Sequence, residues 1–304
     1  MSCGRAPSSG SRFLGLLALL RPLNGLMAGA AVLVGALVAA GSGARMALPA
    51  SAGARVEWAP AALGALAAFG ISGAANALND AVDARSDRTN APWRPIPRGD
   101  ATKRAAVLLA VVLYAAGIAI AWPLGPAAVA LAAAWVALTA LYSFFMKGVP
   151  IIGNAAVALV AGSPLLLGGL TQEVACGPVL LVLFGLAALL HFARELYKDA
   201  GDVAGDREQG VSTLAVVSGP GAAVALGRSL LMTSMLAAVV PLVAGLLNAR
   251  YLVFLAPIEA LLGWLLYVSR PGTREPAERV ARRVSSGLKV VMALGLAAFA
   301  AGAW

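Results

Sequence analysis

The sequence predicts an all-α, polytopic membrane protein with about nine transmembrane helices. Three observations predict it. Apolar residues make up 60% of the 304 residues and charged residues only 12%, roughly half the charged share of an ordinary soluble domain. Nine apolar runs each reach the roughly 17 residues or more that a transmembrane helix needs. The basic residues gather between alternate runs, facing one side. A net charge of +9 would otherwise suggest nucleic acid. Its placement between apolar spans assigns it to topology instead, and no nucleic-acid partner is expected.

The first run, 23–41, follows Phe13–Leu20, a short apolar stretch before Arg21 that fits an interfacial lead-in. The second, 61–79, runs directly into an acidic stretch. Pro92, Pro95 and Pro97 then break any helix and stiffen a basic loop. The third and fourth runs cover 105–121 and 126–143, and the short loop after them holds Lys147. The fifth, 151–170, is followed by the sixth, 178–197, which ends in a second acidic stretch. Gly201, Gly205 and Gly210 loosen that stretch, so its last aspartate, Asp206, is expected to leave the helix. The remaining runs are 222–247, 251–268 and 286–303. Between the last two lies RPGTREPAERVARR, a basic loop suited to anionic lipid.

The positive-inside rule tests this assignment. With the N-terminus in the cytoplasm, the inner segments are 1–22, 80–104, 144–150, 198–221 and 269–285. With residues at the span edges counted on the nearer side, 20 of the 23 Lys and Arg fall inside and only Arg45, Arg55 and Arg250 outside. Residues 1–304 read as one membrane domain. Cys3 and Cys176 are too far apart in sequence to suggest a thiolate site or a disulfide framework. The polar, basic start MSCGRAPSSGSR has no compact apolar region and cleavage site behind it, so no cleaved signal peptide is expected.

Acids are scarce, and seven of the 14 fall into one repeated pattern. Asn76, Asp80, Asp83 and Asp87 have offsets 0, 4, 7 and 11; Glu195, Asp199, Asp202 and Asp206 repeat them 119 residues later. On a helix these offsets share one face. Stacked carboxylates repel one another and are costly near hydrocarbon. A charged, solvated helix end would account for either array alone. Its recurrence on the same membrane side argues for a shared site. Carboxylate oxygens on one face suit Mg²⁺, which binds through one or two carboxylates plus phosphate oxygens and water. Arg85, Arg88, Arg94 and Arg98 follow the first array, and Arg194, Lys198 and Arg207 flank the second. Arginine beside carboxylate suits bidentate phosphate contact. The whole describes a site for a metal-bound polyphosphate.

Other residues carry two readings each. Arg21 is a snorkelling anchor or a phosphate ligand, and Lys147 a topology marker or a pyrophosphate contact. His191 is expected to pack rather than ligate. Tyr142 and Asn154 would serve packing equally well.

These motifs resemble those of the membrane-embedded UbiA-type prenyltransferases, which make quinones, chlorophyll, haem O and archaeal ether lipids. The Asn76–Asp87 array with the following RPIPRG matches the first motif of that family, and Asp199, Asp202 and Asp206 match the second. The resemblance covers nearly the whole chain. RELYKDAGDVAGDREQGVSTL and NAPWRPIPRG are similar to the ether-lipid branch, which transfers geranylgeranyl to geranylgeranylglyceryl phosphate.

The resemblance implies a cytoplasm-facing active-site cavity and two Mg²⁺ ions bound with a prenyl pyrophosphate donor. Asp80 and Asp83, assisted by Asn76, would serve one ion, and Asp199 and Asp202 the other. Asp87 and Asp206 would hold outer-shell water or a basic partner. Arg21, Arg94, Lys147 and Lys198 would contact phosphate oxygens. The acceptor would be a lipid or, alternatively, an aromatic quinone precursor or a chlorophyll-type partner, with membrane lipids surrounding the helices. A divalent-cation transporter is the alternative of another class. It should carry acids near the membrane midplane, whereas both arrays lie at the inner edge.

Overall fold

A computed structural model of the chain describes residues 9–45, 55–172 and 177–304. Cys3, Cys176 and the start of the chain lie outside the described residues. Every regular element described is helical. In order these are α1 (Ser9–Leu19), α2 (Pro22–Arg45), α3 (Trp58–Val82), α4 (Asp87–Asn90) and α5 (Pro95–Arg98). They continue with α6 (Lys103–Ala121), α7 (Pro126–Leu141), α8 (Ile152–Gly162), α9 (Pro164–Leu170) and α10 (Pro178–Gln209). The last are α11 (Leu214–Ser218), α12 (Pro220–Ala237), α13 (Val240–Val243), α14 (Tyr251–Val268) and α15 (Ala277–Ala303).

Nine helical segments among the described residues are long and apolar enough to cross a membrane, and they coincide with the nine predicted runs. The chain is a multi-pass membrane protein. Two spans are broken where proline removes a backbone donor. Pro164 begins α9 after Ser163 ends α8, and Pro241 sits in α13 just beyond α12. The lead-in before the first span is a separate helix, α1. The chain turns out of it at Arg21, whose φ of 47° puts a non-glycine residue in the left-handed region. That conformation costs about 1–2 kcal/mol.

Burial divides the helices into two cores. One gathers Ala67, Ile71, Ala74, Ala77 and Leu78 of α3 with residues of α6 and α7. The other gathers Leu183, Ala193, Tyr197 and Ala200 of α10 with residues of α12, α14 and α15. Helices α2 and α9 contribute to both cores. They approach so closely that a Cβ on Gly168 would lie 2.1 Å from the Val32 carbonyl oxygen. Each acidic array is thus carried by a different core, α3 by one and α10 by the other.

Candidate active site

The two arrays, alike in spacing, differ in local structure. Helix α3 ends at Val82, and Asp83 caps it, its N–H donating to the Asn79 carbonyl at 2.8 Å. Asp87 opens the short α4. The first array is therefore split over two helices, against the expectation of one continuous face. Ser86 marks the turn: its hydroxyl donates to the Asp83 carbonyl at 3.1 Å, which also accepts the Asp87 N–H at 2.9 Å.

The second array reverses the other expectation. Helix α10 runs unbroken to Gln209, so Asp206 stays on it with Glu195, Asp199 and Asp202. Its glycines do not loosen it because neighbours occupy them. Arg282 of α15 donates from Nε and Nη2 to the Gly201 carbonyl at 3.0 and 2.8 Å. The side-chain amide of Asn90 lies on Gly205.

That amide joins the two arrays. Asn90 Nδ2 donates to the Asp202 carbonyl at 2.8 Å, and the Gly205 N–H donates to Asn90 Oδ1 at 3.0 Å. Thr89 Oγ1 donates to Glu208 at 2.6 Å beside it. Between the arrays lies a small polar cavity. Asp83, Asp87, Asp199, Asp202 and Asp206 border it, with Arg94, Lys147, Lys198, Tyr142, Asn154, Ser86, Asn90 and Thr213. Lys147 follows a π-type turn over Tyr142–Met146, in which its N–H donates to the Tyr142 carbonyl at 3.0 Å. Asn76, Asp80 and Arg21 do not border the cavity.

Most of the buried acids have protein partners. Asp80 is 1% exposed and pairs with Arg21 and, at 3.3 Å, with Arg94. Arg94 also grips both oxygens of Asp87, at 2.7 and 2.6 Å. Burial pushes the Asp87 carboxyl up to about 6, against the pull of Arg94. Burial likewise opposes the Arg94 charge, but Asp87 and Asp80 outweigh it and raise its pKa. Lys147 donates to Asp83, and Asn154 Nδ2 donates to Asp199 at 2.7 Å. Glu195 takes Arg194 at 2.8 Å and Lys198 at 3.4 Å. Asn76 donates to the Leu20 carbonyl at 3.1 Å, which ties α3 to the turn at Arg21. Asp202 and Asp206 are different: they border the cavity, and no side-chain hydrogen bond or ion pair engages them among the described residues.

The donor set fits Mg²⁺. It consists of hard carboxylate oxygens, with no histidine or cysteine bordering the cavity. Among the described residues, no group of three or more His, Cys, Asp or Glu is gathered tightly enough to hold a metal alone. Mg²⁺ does not require one, because phosphate oxygens and water complete its octahedron.

Sequence reasoning brought Asp83, Asp87, Arg94, Lys147, Lys198, Asp199, Asp202 and Asp206 to one cavity. It missed Asn90, Ser86 and Thr213, and for Tyr142 and Asn154, which also border the cavity, it did not choose between site and packing. The usable signal for Asn90 was a glycine, Gly205, lying between two aspartates of a helix that had no local need of one. His191 does not border the cavity, as expected.

Fold and site define a multi-pass membrane enzyme whose cavity suits a metal-bound polyphosphate. Residues 36–294 match the model of the UbiA prenyltransferase family. The chain belongs to that family and is a prenyltransferase. A digeranylgeranylglyceryl phosphate synthase of Halobacterium salinarum is 40% identical over 245 residues, covering 80% of this chain and 83% of that protein. A structure solved in work on digeranylgeranylglyceryl phosphate synthase in membranes shares the fold, with a TM-score of 0.71 and 24% identity over 96% of this chain and 98% of that one. A UbiA homologue from Archaeoglobus fulgidus bound to GPP and Mg²⁺ shares it too, with a TM-score of 0.61 and 19% identity over 94% of this chain and 99% of that one.

Proposed function

We propose that this prenyltransferase moves a geranylgeranyl group from its pyrophosphate to the hydroxyl of geranylgeranylglyceryl phosphate, on the cytoplasmic side of the membrane. The observation that carries the reading is the match to the Halobacterium salinarum synthase over four fifths of the chain at 40% identity. The ether-lipid-type flanks around both arrays support it.

The residues take the following roles. Asp83 would hold one Mg²⁺ at the cavity, with Asp80 and Asn76 behind it, and Asp199 and Asp202 would hold a second. Asp87 holds Arg94 in place, and Asp206 completes the second carboxylate wall. When bound, Mg²⁺ neutralises charge on the leaving pyrophosphate. Lys147, Arg94 and Lys198 face the same cavity and supply preorganised positive charge where the pyrophosphate charge grows. Arg21 reaches this array only through Asp80, so its role is to hold that carboxylate or to share it with phosphate. The allylic C–O bond breaks, and its electron pair leaves with the pyrophosphate. The acceptor oxygen then bonds to the allylic carbon and loses its proton. The apolar spans around the prenyl chain would exclude water, which would otherwise capture the carbocation.

The test is turnover by purified protein given geranylgeranyl pyrophosphate, Mg²⁺ and a panel of glycerol-phosphate and aromatic acceptors, with products read by mass spectrometry. A digeranylgeranyl glyceryl phosphate product is expected. Turnover only with an aromatic acid would refute the reading.

A further inference from the structure

We propose that Arg194 and Lys289 form a separate seat for the phosphate of the acceptor, on the membrane side of the pyrophosphate cavity. This rests on the acceptor proposed above. Neither residue borders the cavity between the arrays.

Helix register brings the two side chains together. Arg282 of α15 grips the Gly201 carbonyl of α10. The two helices pack side by side, and successive spans run in opposite directions, so the sixth and the ninth are antiparallel. Seven residues on along α15 is Lys289, and seven residues back along α10 is Arg194. Seven residues are about two turns, which return each chain to the same face about 10 Å deeper. The electrostatic neighbours of Lys289 are accordingly Arg194, Arg21 and Glu195.

The cations at this level exceed the acids. Glu195 is divided between Arg194 and Lys198, and Asp80 takes Arg21. Lys289 has no hydrogen bond or ion pair among the described residues. Arg194 spends one N–H on Glu195, and its Nε–H is buried without an acceptor. A buried donor needs an acceptor, and an unpaired lysine within a spanning helix is costly unless it serves a ligand. A snorkelling lysine would be directed away from other cations; this one is set beside two arginines. A doubly charged oxyanion satisfies all of these groups together.

The position suits the chemistry. Arg194 lies five residues on the membrane side of Asp199 along α10. The prenyl chain extends into the membrane from a pyrophosphate held at the arrays, so the acceptor meets the allylic carbon on that side. In a glycerol phosphate the reacting hydroxyl and the phosphate are on neighbouring carbons. The phosphate must then sit within a few ångströms of the reaction centre, on the membrane side of the metals.

The experiment uses the full chain in detergent or nanodiscs. Lys289 lies on the exterior of the protein and makes no hydrogen bond among the described residues, so Lys289→Gln should fold. The KM for geranylgeranylglyceryl phosphate should rise about 10-fold or more, the loss expected for one charge-assisted phosphate contact. The KM for geranylgeranyl pyrophosphate should stay unchanged, and Lys289→Arg should restore the acceptor KM. With the dephosphorylated alcohol, geranylgeranylglycerol, parent and Lys289→Gln should behave alike. Equal acceptor KM values in parent and Lys289→Gln, or an equal loss with both acceptors, would overturn the phosphate seat alone. A parent inactive with the phosphorylated acceptor would overturn the proposed function and this inference together.

Discussion

Replacing Gly205 by alanine should weaken the tie between the two acidic arrays. A Cβ there would lie 2.4 Å from Asn90 Nδ2, 2.5 Å from its Cγ and 2.7 Å from its Oδ1. Rotation of α10 is opposed on both sides, by Arg282 at Gly201 one turn before and by Thr89 at Glu208 about one turn after. The Asn90 amide is the end of a short side chain, so it would swing away. It would then forfeit its bonds at 2.8 and 3.0 Å. Two neutral hydrogen bonds are worth roughly 1–3 kcal/mol together. Alanine regains up to about 1 kcal/mol through helix propensity. The net destabilisation should be about 1–2 kcal/mol, with a larger loss of turnover, because Asp202 and the loop bearing Asp87 would lose their common register. Asn90→Ala should lose the same bonds without the clash. In a double-mutant cycle, Gly205→Ala should therefore add little to Asn90→Ala. Thermal unfolding in detergent and steady-state turnover read both quantities. Wild-type stability and turnover in Gly205→Ala, or full additivity with Asn90→Ala, would refute the reasoning.

Asp80→Ala and Asp199→Ala should each reduce turnover at least about 100-fold, with membrane insertion intact; near-normal activity in both would remove the proposed metal roles. Arg94→Lys should keep the charge but shorten the reach of the Nη1 that bridges Asp87 and Asp80, lowering kcat/KM by about 10-fold or more, as initial rates would show. Gly168→Ala would place a Cβ 2.1 Å from the Val32 carbonyl and 2.6 Å from the Ala36 nitrogen, so α2 and α9 must part; unfolding should show a loss of about 1–3 kcal/mol. Chelation of Mg²⁺ should abolish turnover reversibly while barely moving the unfolding midpoint, since Asp80, Asp83, Asp87 and Asp199 already have protein partners. Collapse of the fold on chelation would contradict that ion-pair network.

Membrane spans are readable because a single quantity, apolar length against bilayer thickness, decides them. The arrays are readable for a related reason: an acid beside hydrocarbon needs a cause, and a chain with few acids makes repetition conspicuous. The continuity of each array was not readable. Local propensity favours a break after Gly201 and Gly205 and no break after Val82, and the structure has the reverse. Arg282 and Asn90, which hold α10 straight, lie 81 and 115 residues from the glycines they contact. Such contacts leave no local trace. The break after Asp83 does leave one, in Ser86, but a serine near a helix end is too common to be decisive. Thr213 was invisible and Asn154 undecided for a third reason: an isolated polar residue near a span end is compatible with packing, and only its neighbour, such as Asp199 for Asn154, makes it part of a site.

The repeat in the sequence therefore does not produce a symmetric site. In the first array, Asp80, Asp83 and Asp87 are all taken by cations, from three different segments of the chain. In the second, Asp199 is held only by a neutral amide, and Asp202 and Asp206 face the cavity without a partner among the described residues. The cations on the first array are the groups that suit an oxyanion, and the open carboxylates on the second are the groups that suit a divalent metal. A metal-bound pyrophosphate presents both needs at once. It would draw Lys147 and Arg94 toward its oxygens and free the carboxylates they hold for metal. Neither array can make that exchange alone, because the cations paired with cavity carboxylates are on the first and the cavity carboxylates without a partner are on the second. The Asn90 amide, resting on Gly205 between Asp202 and Asp206, keeps the two halves within reach of the same ligand.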